Sequence, residues 1–334
     1  MKTVCIPGDY GGFGGPGIFQ KNLTQQLEQY GIGVTNDLNH RPLDAVCIIA
    51  AQRNLAKIWR CKRQGIRIVQ RLNGINWMHR VVPTTIGHKI KAITANWLCA
   101  FIRRRMADHV VYQSVFSNEL WETRFGQIKI PTSIVHNGVN LETFRPCDSA
   151  KRQQLPPKVI VVEGNLSDGY EHGLKAAVAL VNSVRESLGV DISLEVVGNA
   201  APQVIELYPM PWIKWSGKLP HDSVVERLRE SHLFFASDLH PACPNSVLEA
   251  MACGVPVVGY DTGAVGELIG SDGGCVVPYG ADAWKLEPPS NHEALVSAAL
   301  KILNDHEAAS TRARERALEF AVEQMTNRYL EVLL

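Results

Sequence analysis

The sequence predicts an α/β protein made of two doubly wound parallel-sheet domains that face a cleft. Three observations carry this. The chain has 334 residues, too many for one ordinary core and suited to two. Short β-rich runs alternate with helix-periodic stretches, and the alternation starts afresh halfway along. Between the two series lies a polar, proline-containing stretch, "RPCDSAKRQQLPPK" (145–158), which reads as a linker. Strands joined through helices run parallel and are covered on both faces, and such sheets take ligands at the carboxyl ends of their strands.

In the first half the β-rich runs are 2–6, 44–50, 66–70, 109–113 and 132–136, with helical periodicity between them, as in 19–30. In the second half they are 159–164, 192–198, 233–237, 256–260 and 274–277. Helices are expected over 172–187, 222–230, 246–253 and 291–304. The last 28 residues, "EAASTRARERALEFAVEQMTNRYLEVLL", read as one long helical stretch, whose end would cross back to the first domain. The expected organisation is therefore 1–150, 151–312 and a final helix 313–334.

Apolar residues make up 46% and charged residues 20%, a composition suited to globular cores. Eight scattered cysteines without a C-x-x-C pair indicate reduced, cytoplasmic usage rather than disulfides or a zinc site. No apolar run is long enough to span a membrane, and "MKTVCIPGDYGG" breaks into glycines too early for a signal peptide. The net charge of +1 hides an asymmetry: residues 1–150 carry 19 Lys and Arg against 9 Asp and Glu, residues 151–334 carry 15 against 24. The segment "GHKIKAITANWLCAFIRRRM" (87–106) reads either as an amphipathic helix for an anionic bilayer or as a core helix with a solvated cationic end at Arg103–Arg105. No nucleic-acid reading motif accompanies the charge, so no nucleic-acid partner is expected.

Two stretches carry candidate chemistry. "GDYGGFGGPGIF" (8–19) follows the first strand, and its Gly12, Gly14 and Gly17 spell a dinucleotide fingerprint, with Asp37 twenty residues on as a ribose-binding acid. The loop is long for that fingerprint, and its glycines would equally let backbone approach a phosphate. "HPACPNSVLEAMACGVPVV" (240–258) begins a helix. Ser246 and Glu249 have the spacing of a capping box, and Gly254 is the expected stop before a buried strand. The same helix start, through the amides of Asn245, Ser246 and Val247, suits an anion, and Glu249 one turn in could accept from hydroxyls of whatever carries it.

Taken in order, Gly14-Gly15, "RLNG" (71–74), "ADHVVYQSVFSNELW" (107–121), "IVHNGVNLETFRP" (134–146), "VVEGN" (161–165), "LEVVGNAAP" (194–202), "GKLPHDSV" (217–224) and "PNSVLEAMACGVPVVGYDTGAVGEL" (244–268) resemble the retaining GT-B glycosyltransferases of family GT4. The resemblance implies two Rossmann-like domains, the second holding a nucleotide-diphosphate sugar and the first receiving a glycan, lipid-linked or small-molecule acceptor. It implies that Glu249 binds donor ribose, that Ser246 and Val247 face the diphosphate with Asn245 beside them, and that Gly14 and Gly15 line the donor site from the first domain. Gly164, Asn165 and Gly198 fall on the strand-end motifs, and Lys218 and Leu219 in the loop that meets the base. Gly263 and Glu267 close the last motif.

The departures fall where relatives carry charge. Pro241 stands eight residues before Glu249 in place of a glutamate, and Asn165 and His172 stand where an Arg and a Lys commonly neutralise the diphosphate. A neutral amide stabilises a leaving diphosphate less than a guanidinium does. Asn73 occupies a place where relatives have Asp or His, and Arg71 beside it is a substitute cation. The candidate catalytic residues are thus Arg71, Asn73 and His172. The expected function is retaining sugar transfer from a UDP- or GDP-sugar, with no cofactor and no metal, in the cytoplasm and in polysaccharide biosynthesis, with peripheral contact to an anionic membrane. The alternatives are a binding-only protein of the same fold and an NAD-dependent oxidoreductase.

Overall fold

The computed structural model describes residues 2–334 except 12–13, 148–151, 153 and 167–170. The chain forms two compact units, one of residues 1–138 with 320–334 and one of residues 139–319. The first break therefore falls at Gly138, ahead of the expected 150/151 boundary. The stretch read as a linker belongs to the second unit, where the guanidinium of Arg152 is buried and donates to the carbonyls of Arg229, Cys253 and Gly254.

The first unit holds a six-stranded parallel sheet in the order β2-β1-β3-β4-β5-β6, formed by Thr3–Cys5 (β1), Gly33–Thr35 (β2), Ala45–Ile49 (β3), Arg67–Leu72 (β4), His109–Tyr112 (β5) and Thr132–Ile134 (β6). Strand β3 shows why these runs are strands. It is buried on both faces, with Ala45, Cys47 and Ile49 in one apolar cluster and Val46 and Ile48 in the other. Helices Leu55–Arg63 and Ile86–Arg105 give Ile58, Cys61 and Ile102 to the second cluster. Helix Gly14–Gln29 and the C-terminal Val322–Leu333 cover the opposite face through Phe19, Leu23, Leu27, Met325 and Tyr329.

The second unit holds another six-stranded parallel sheet, in the order β12-β11-β10-β7-β8-β9. Its strands are Lys158–Leu166 (β7), Ser193–Ala200 (β8), Ile213–Gly217 (β9), Leu233–Ala236 (β10), Val257–Tyr260 (β11) and Gly274–Val277 (β12). Its helices include His172–Leu188, His221–Arg229 and Asn245–Ala252.

The final stretch is not one helix. It runs as His306–Ala317, a 3-10 turn Leu318–Phe320, and Val322–Leu333, with Ala321 extended between the last two. Ala309, Ala313 and Ala317 are buried in the first piece, and Val322, Met325 and Tyr329 in the last. At 100° per residue these two stripes would lie about 150° apart on an unbroken helix, so the chain must break to bury both. Among the described residues no helix is long and apolar enough to cross a membrane.

Candidate functional site

In the second sheet, β7 has β8 on one side and β10 on the other, so the connections leaving β7 and β10 depart in opposite directions. Such a switch point leaves a crevice at the carboxyl ends of the two strands. Gly164 and Asn165 lie at the end of β7, both exposed, and His172 opens the helix that follows, also exposed. Beyond β10 come the loop from Ser237 to Pro244 and helix Asn245–Ala252.

The two strand ends are locked together. A Cβ on Gly173 would come within 1.7 Å of the Ser237 carbonyl oxygen, so only glycine lets the helix start settle on the end of β10. The Glu163 carboxylate accepts from the Ser237 hydroxyl at 2.7 Å and from the Asp238 amide. Burial pushes the Glu163 carboxyl well above its ordinary range, and the nearby Asp238 carboxyl raises it further; burial likewise raises Asp238. These two acids share the strand ends of the crevice and favour holding a proton over carrying two charges. Sequence reasoning missed both, because nothing local pairs residues 163 and 238.

Helix Asn245–Ala252 begins after Pro244, in extended conformation, and no side chain caps it. The expected capping box is absent: with Pro244 at the cap, Ser246 is already the second helical residue and cannot play the capping part. Glu249, 6% exposed, turns elsewhere: its Oε1 lies 3.1 Å from Nε2 of His221. His221 opens helix His221–Arg229 directly after the loop bearing exposed Lys218 and half-buried Leu219, so this pair ties that loop to the Glu249 helix. The edge of the His221 ring meets Phe144 at 5.0 Å. The carboxyl end of the Glu249 helix is held by two guanidinium groups, Arg152 on Cys253 and Gly254 and Arg314 on Ala252, each contact 2.7 Å. Cations at that end complement the helix dipole, and its opposite, amide-rich end points to where an anion is stabilised. Gly254, at φ +67°, provides the expected stop.

Other candidates have structural reasons of their own. A Cβ on Gly198, at φ +148°, would meet the Glu163 carbonyl oxygen at 2.2 Å, so this glycine lets β8 pass β7 where their register shifts. Gly263 makes the same allowance for buried Pro241, whose carbonyl also accepts from the Ala264 amide. Arg316 donates to the Glu267 carbonyl. His240, at φ +59°, stacks on Trp284 at 3.7 Å, and burial lowers its pKa to about 4. Gly164 differs: a Cβ there would meet nothing within 4 Å, so packing alone does not require it.

In the first unit, Gly14 and Gly15 open helix Gly14–Gln29; both are exposed, and Gly14 has φ +67°. Of the fingerprint glycines, Gly12 lies outside the described residues. Strand β1 ends at Cys5, well before the helix, and the Asp37 carboxylate accepts from the Asn39 amide and side chain in a local turn. Arg71 is not on the surface. It is 1% exposed, with its guanidinium 3.9 Å from the Phe19 ring centroid and donating to Asn137 Oδ1 at 2.9 Å. Asn73 is half-buried beside it, its carbonyl accepting from Trp121 at 2.7 Å. The cationic end expected at Arg103–Arg105 is only partly solvated: Arg103 is fully buried, bonded to the Tyr112 hydroxyl and the Gly126 carbonyl. Among the described residues no group of three or more His, Cys, Asp or Glu side chains gathers as metal ligands would.

Residues 157–305, which contain every second-unit candidate above, match the family described as glycosyl transferases group 1. The 2-deoxystreptamine N-acetyl-D-glucosaminyltransferase of Streptomyces fradiae is 33% identical over 113 residues, a match spanning 31% of this chain and 26% of that relative. Among solved structures, the sucrose-phosphate synthase of Thermosynechococcus elongatus superposes with a TM-score of 0.73 at 16% identity, covering 99% of this chain and 98% of its own. Anabaena HepE in complex with UDP-glucose superposes with a TM-score of 0.70 at 17% identity, covering 100% and 99%. Residues 157–305 are thus similar to the group 1 glycosyl transferases, and the two six-stranded parallel sheets give the chain the GT-B fold.

Proposed function

We propose that this chain is a retaining glycosyltransferase of the GT4 type that moves a sugar from a UDP- or GDP-sugar to a glycan, lipid-linked or small-molecule acceptor. The observation that carries the reading is the switch point of the second sheet, where a helix start without a side-chain cap and the buried carboxylate of Glu249 stand one turn apart on the same helix. A diphosphate suits the first and ribose hydroxyls the second. The resemblance to a UDP-glucose complex and to an N-acetylglucosaminyltransferase supports a nucleotide sugar as co-substrate.

The reaction proceeds on one face of the sugar. The bond between the anomeric carbon and the phosphate oxygen breaks, the acceptor oxygen bonds to that carbon from the same side, and its proton passes to the departing phosphate. The charge left on the diphosphate meets the amides of Asn245, Ser246 and Val247 rather than a metal, and positioning contributes the rest. Gly164, Asn165 and His172 border the same strand ends, with the exposed His172 imidazole as a hydrogen-bond donor toward the diphosphate. Arg71 acts as a positioning residue for the first unit's strand ends rather than touching the sugar, since it is enclosed. The protein works in the cytoplasm, in polysaccharide biosynthesis, and meets an anionic membrane through its basic unit. A second reading, binding without turnover, is favoured by one observation: the place of a charged sugar-binding group is taken by Pro241, which is buried.

The test is a thermal-shift screen with UDP, GDP, ADP, UDP-sugars, GDP-sugars and NAD, since a ligand of the native state raises stability by mass action. A shift with one nucleotide diphosphate and its sugars is expected, and a shift with NAD alone overturns the reading. Release of free nucleotide from the sugar conjugate separates turnover from binding. Activity should persist in excess chelator; loss restored by a divalent ion refutes metal independence.

A further inference from the structure

We infer that the exposed apolar stripe Ile86, Ile90, Ile93 and Trp97 is a docking surface for an anionic lipid bilayer, which the protein meets with helix Ile86–Arg105 lying in the interface plane. The inference deepens the proposed peripheral membrane contact and rests on that reading; it moves the contact away from Arg103–Arg105 to the other half of the same helix.

The helix divides along its length. Its second half is a core element, with Cys99, Ala100, Ile102 and Arg103 buried. From Ile86 to Lys91 every residue is exposed. Ile86 is 77% exposed, Ile90 59%, Ile93 56% and Trp97 57%, an unusual outlay of large apolar surface in water. Their spacing of four, three and four residues keeps all four within an arc of about 60° at 100° per residue. The buried positions Ala92, Asn96 and Cys99 lie on another side, so the stripe is a second apolar face and not the edge of the core-facing one. Trp97 stacks on Phe101 with ring centroids 5.3 Å apart, which fixes a residue type suited to the membrane–water boundary.

Charge selects the partner. From Ala45 to Ala107 the sequence has 13 Lys and Arg and no Asp or Glu. Lys89 and Lys91 are exposed on the same turns as the stripe. The neighbouring helix Leu55–Arg63 packs into the same apolar cluster and therefore on the same sheet face; it exposes Trp59 with Lys57, Arg60 and Arg63. An apolar stripe within a basic segment that itself carries no acid matches an anionic headgroup layer over acyl chains, and a second copy of the same chain would bring like charges together.

The test floats the full chain with vesicles of phosphatidylcholine and phosphatidylglycerol, with phosphatidylcholine alone as control. Flotation with the anionic vesicles is expected. Ile90→Ser and Trp97→Ala should each reduce the bound fraction about fivefold or more, as should Lys89→Glu combined with Lys91→Glu. All these positions are exposed, so unfolding temperature and the shift given by UDP-glucose should match the unmodified chain. Absence of flotation, equal flotation with phosphatidylcholine alone, or flotation unchanged in the Ile90 and Trp97 variants overturns the inference. So does a dimer that Ile90→Ser disperses without any vesicle binding. A chain that binds UDP-glucose and no vesicles refutes this surface and leaves the sugar-transfer reading standing; one that binds vesicles and no nucleotide does the reverse.

Discussion

At the scale of single residues, Glu249 is the most informative position. Its carboxylate is buried and has His221 as a neighbour rather than a helix-cap amide, so it does not cap the helix, and the proposed donor site gives it the ribose hydroxyls. Glu249→Gln should therefore weaken binding of the nucleotide sugar about tenfold, the scale of a charge-assisted hydrogen bond made neutral, as read by titration calorimetry. Ser246→Ala should change unfolding free energy by about 0.5 kcal/mol or less, because no cap is lost. The reverse ranking, a large stability loss at Ser246 and unchanged donor affinity at Glu249, would make the pair structural. The sequence makes Glu249 conspicuous through its spacing from Ser246, yet points to the wrong partner. His221 and the acid pair Glu163 and Asp238 leave no sequence signal, since each contact joins segments that meet only after the sheet has formed.

At the scale of elements, strands buried on both faces are legible, and of the four edge strands β6 and β12 are legible while β2 and β9 are not. The apolar runs of β3, β7 and β10 stand out, whereas β2 and β9, each at one edge of its sheet, have half-exposed side chains and, in β9, polar residues such as Lys214 and Ser216. Helix starts in the second half are legible to within a residue, whereas the first helix starts at Gly14, five residues ahead of the periodicity at 19–30, and the break at Ala321 is hidden because it answers to a change of buried face rather than to a proline or glycine. Gly198 shows the same limit in another form: its place in a motif suggests ligand contact, while its φ and the Glu163 carbonyl give it a backbone reason. Gly198→Ala should destabilise the protein by about 2 kcal/mol or more, measured by denaturant unfolding, from the strained φ and the contact together. Gly164→Ala, with open space around it, should leave stability nearly unchanged, so any effect on donor binding there is attributable to the site.

At the scale of the whole molecule, buried His232 and half-buried His306 set a limit toward acid. Burial lowers the His232 pKa to about 4, with His306 and Arg152 adding like charge, and burial followed by Arg152 lowers His306 as well. Their rings lie 5.1 Å apart, and His306 contacts the His232 carbonyl. Both groups are bases held neutral in the fold, so the unfolded chain takes up protons first as pH falls. The His232 contribution to stability is complete above the ordinary histidine value of about 6.5 and is lost as pH falls from there toward about 4, and that of His306 is lost in the same direction. Unfolding temperature measured across that window should drop, and His232→Gln should flatten the drop; an unaltered slope would assign the acid sensitivity to other groups.

The return of residues 320–334 to the first unit also has a consequence in time. Val322, Met325, Tyr329 and Leu333 sit in the same apolar cluster as Val4, Leu23 and Cys47. On the ribosome, residues 1–138 emerge before the second unit but lack part of their own interior until residues 320–334 have been synthesised, while residues 139–319 can close first. The unit begun first is thus completed after the one begun second. A nascent chain stalled before Val322 should expose that unfinished interior to chaperones and proteases for the whole time it takes to build the second unit.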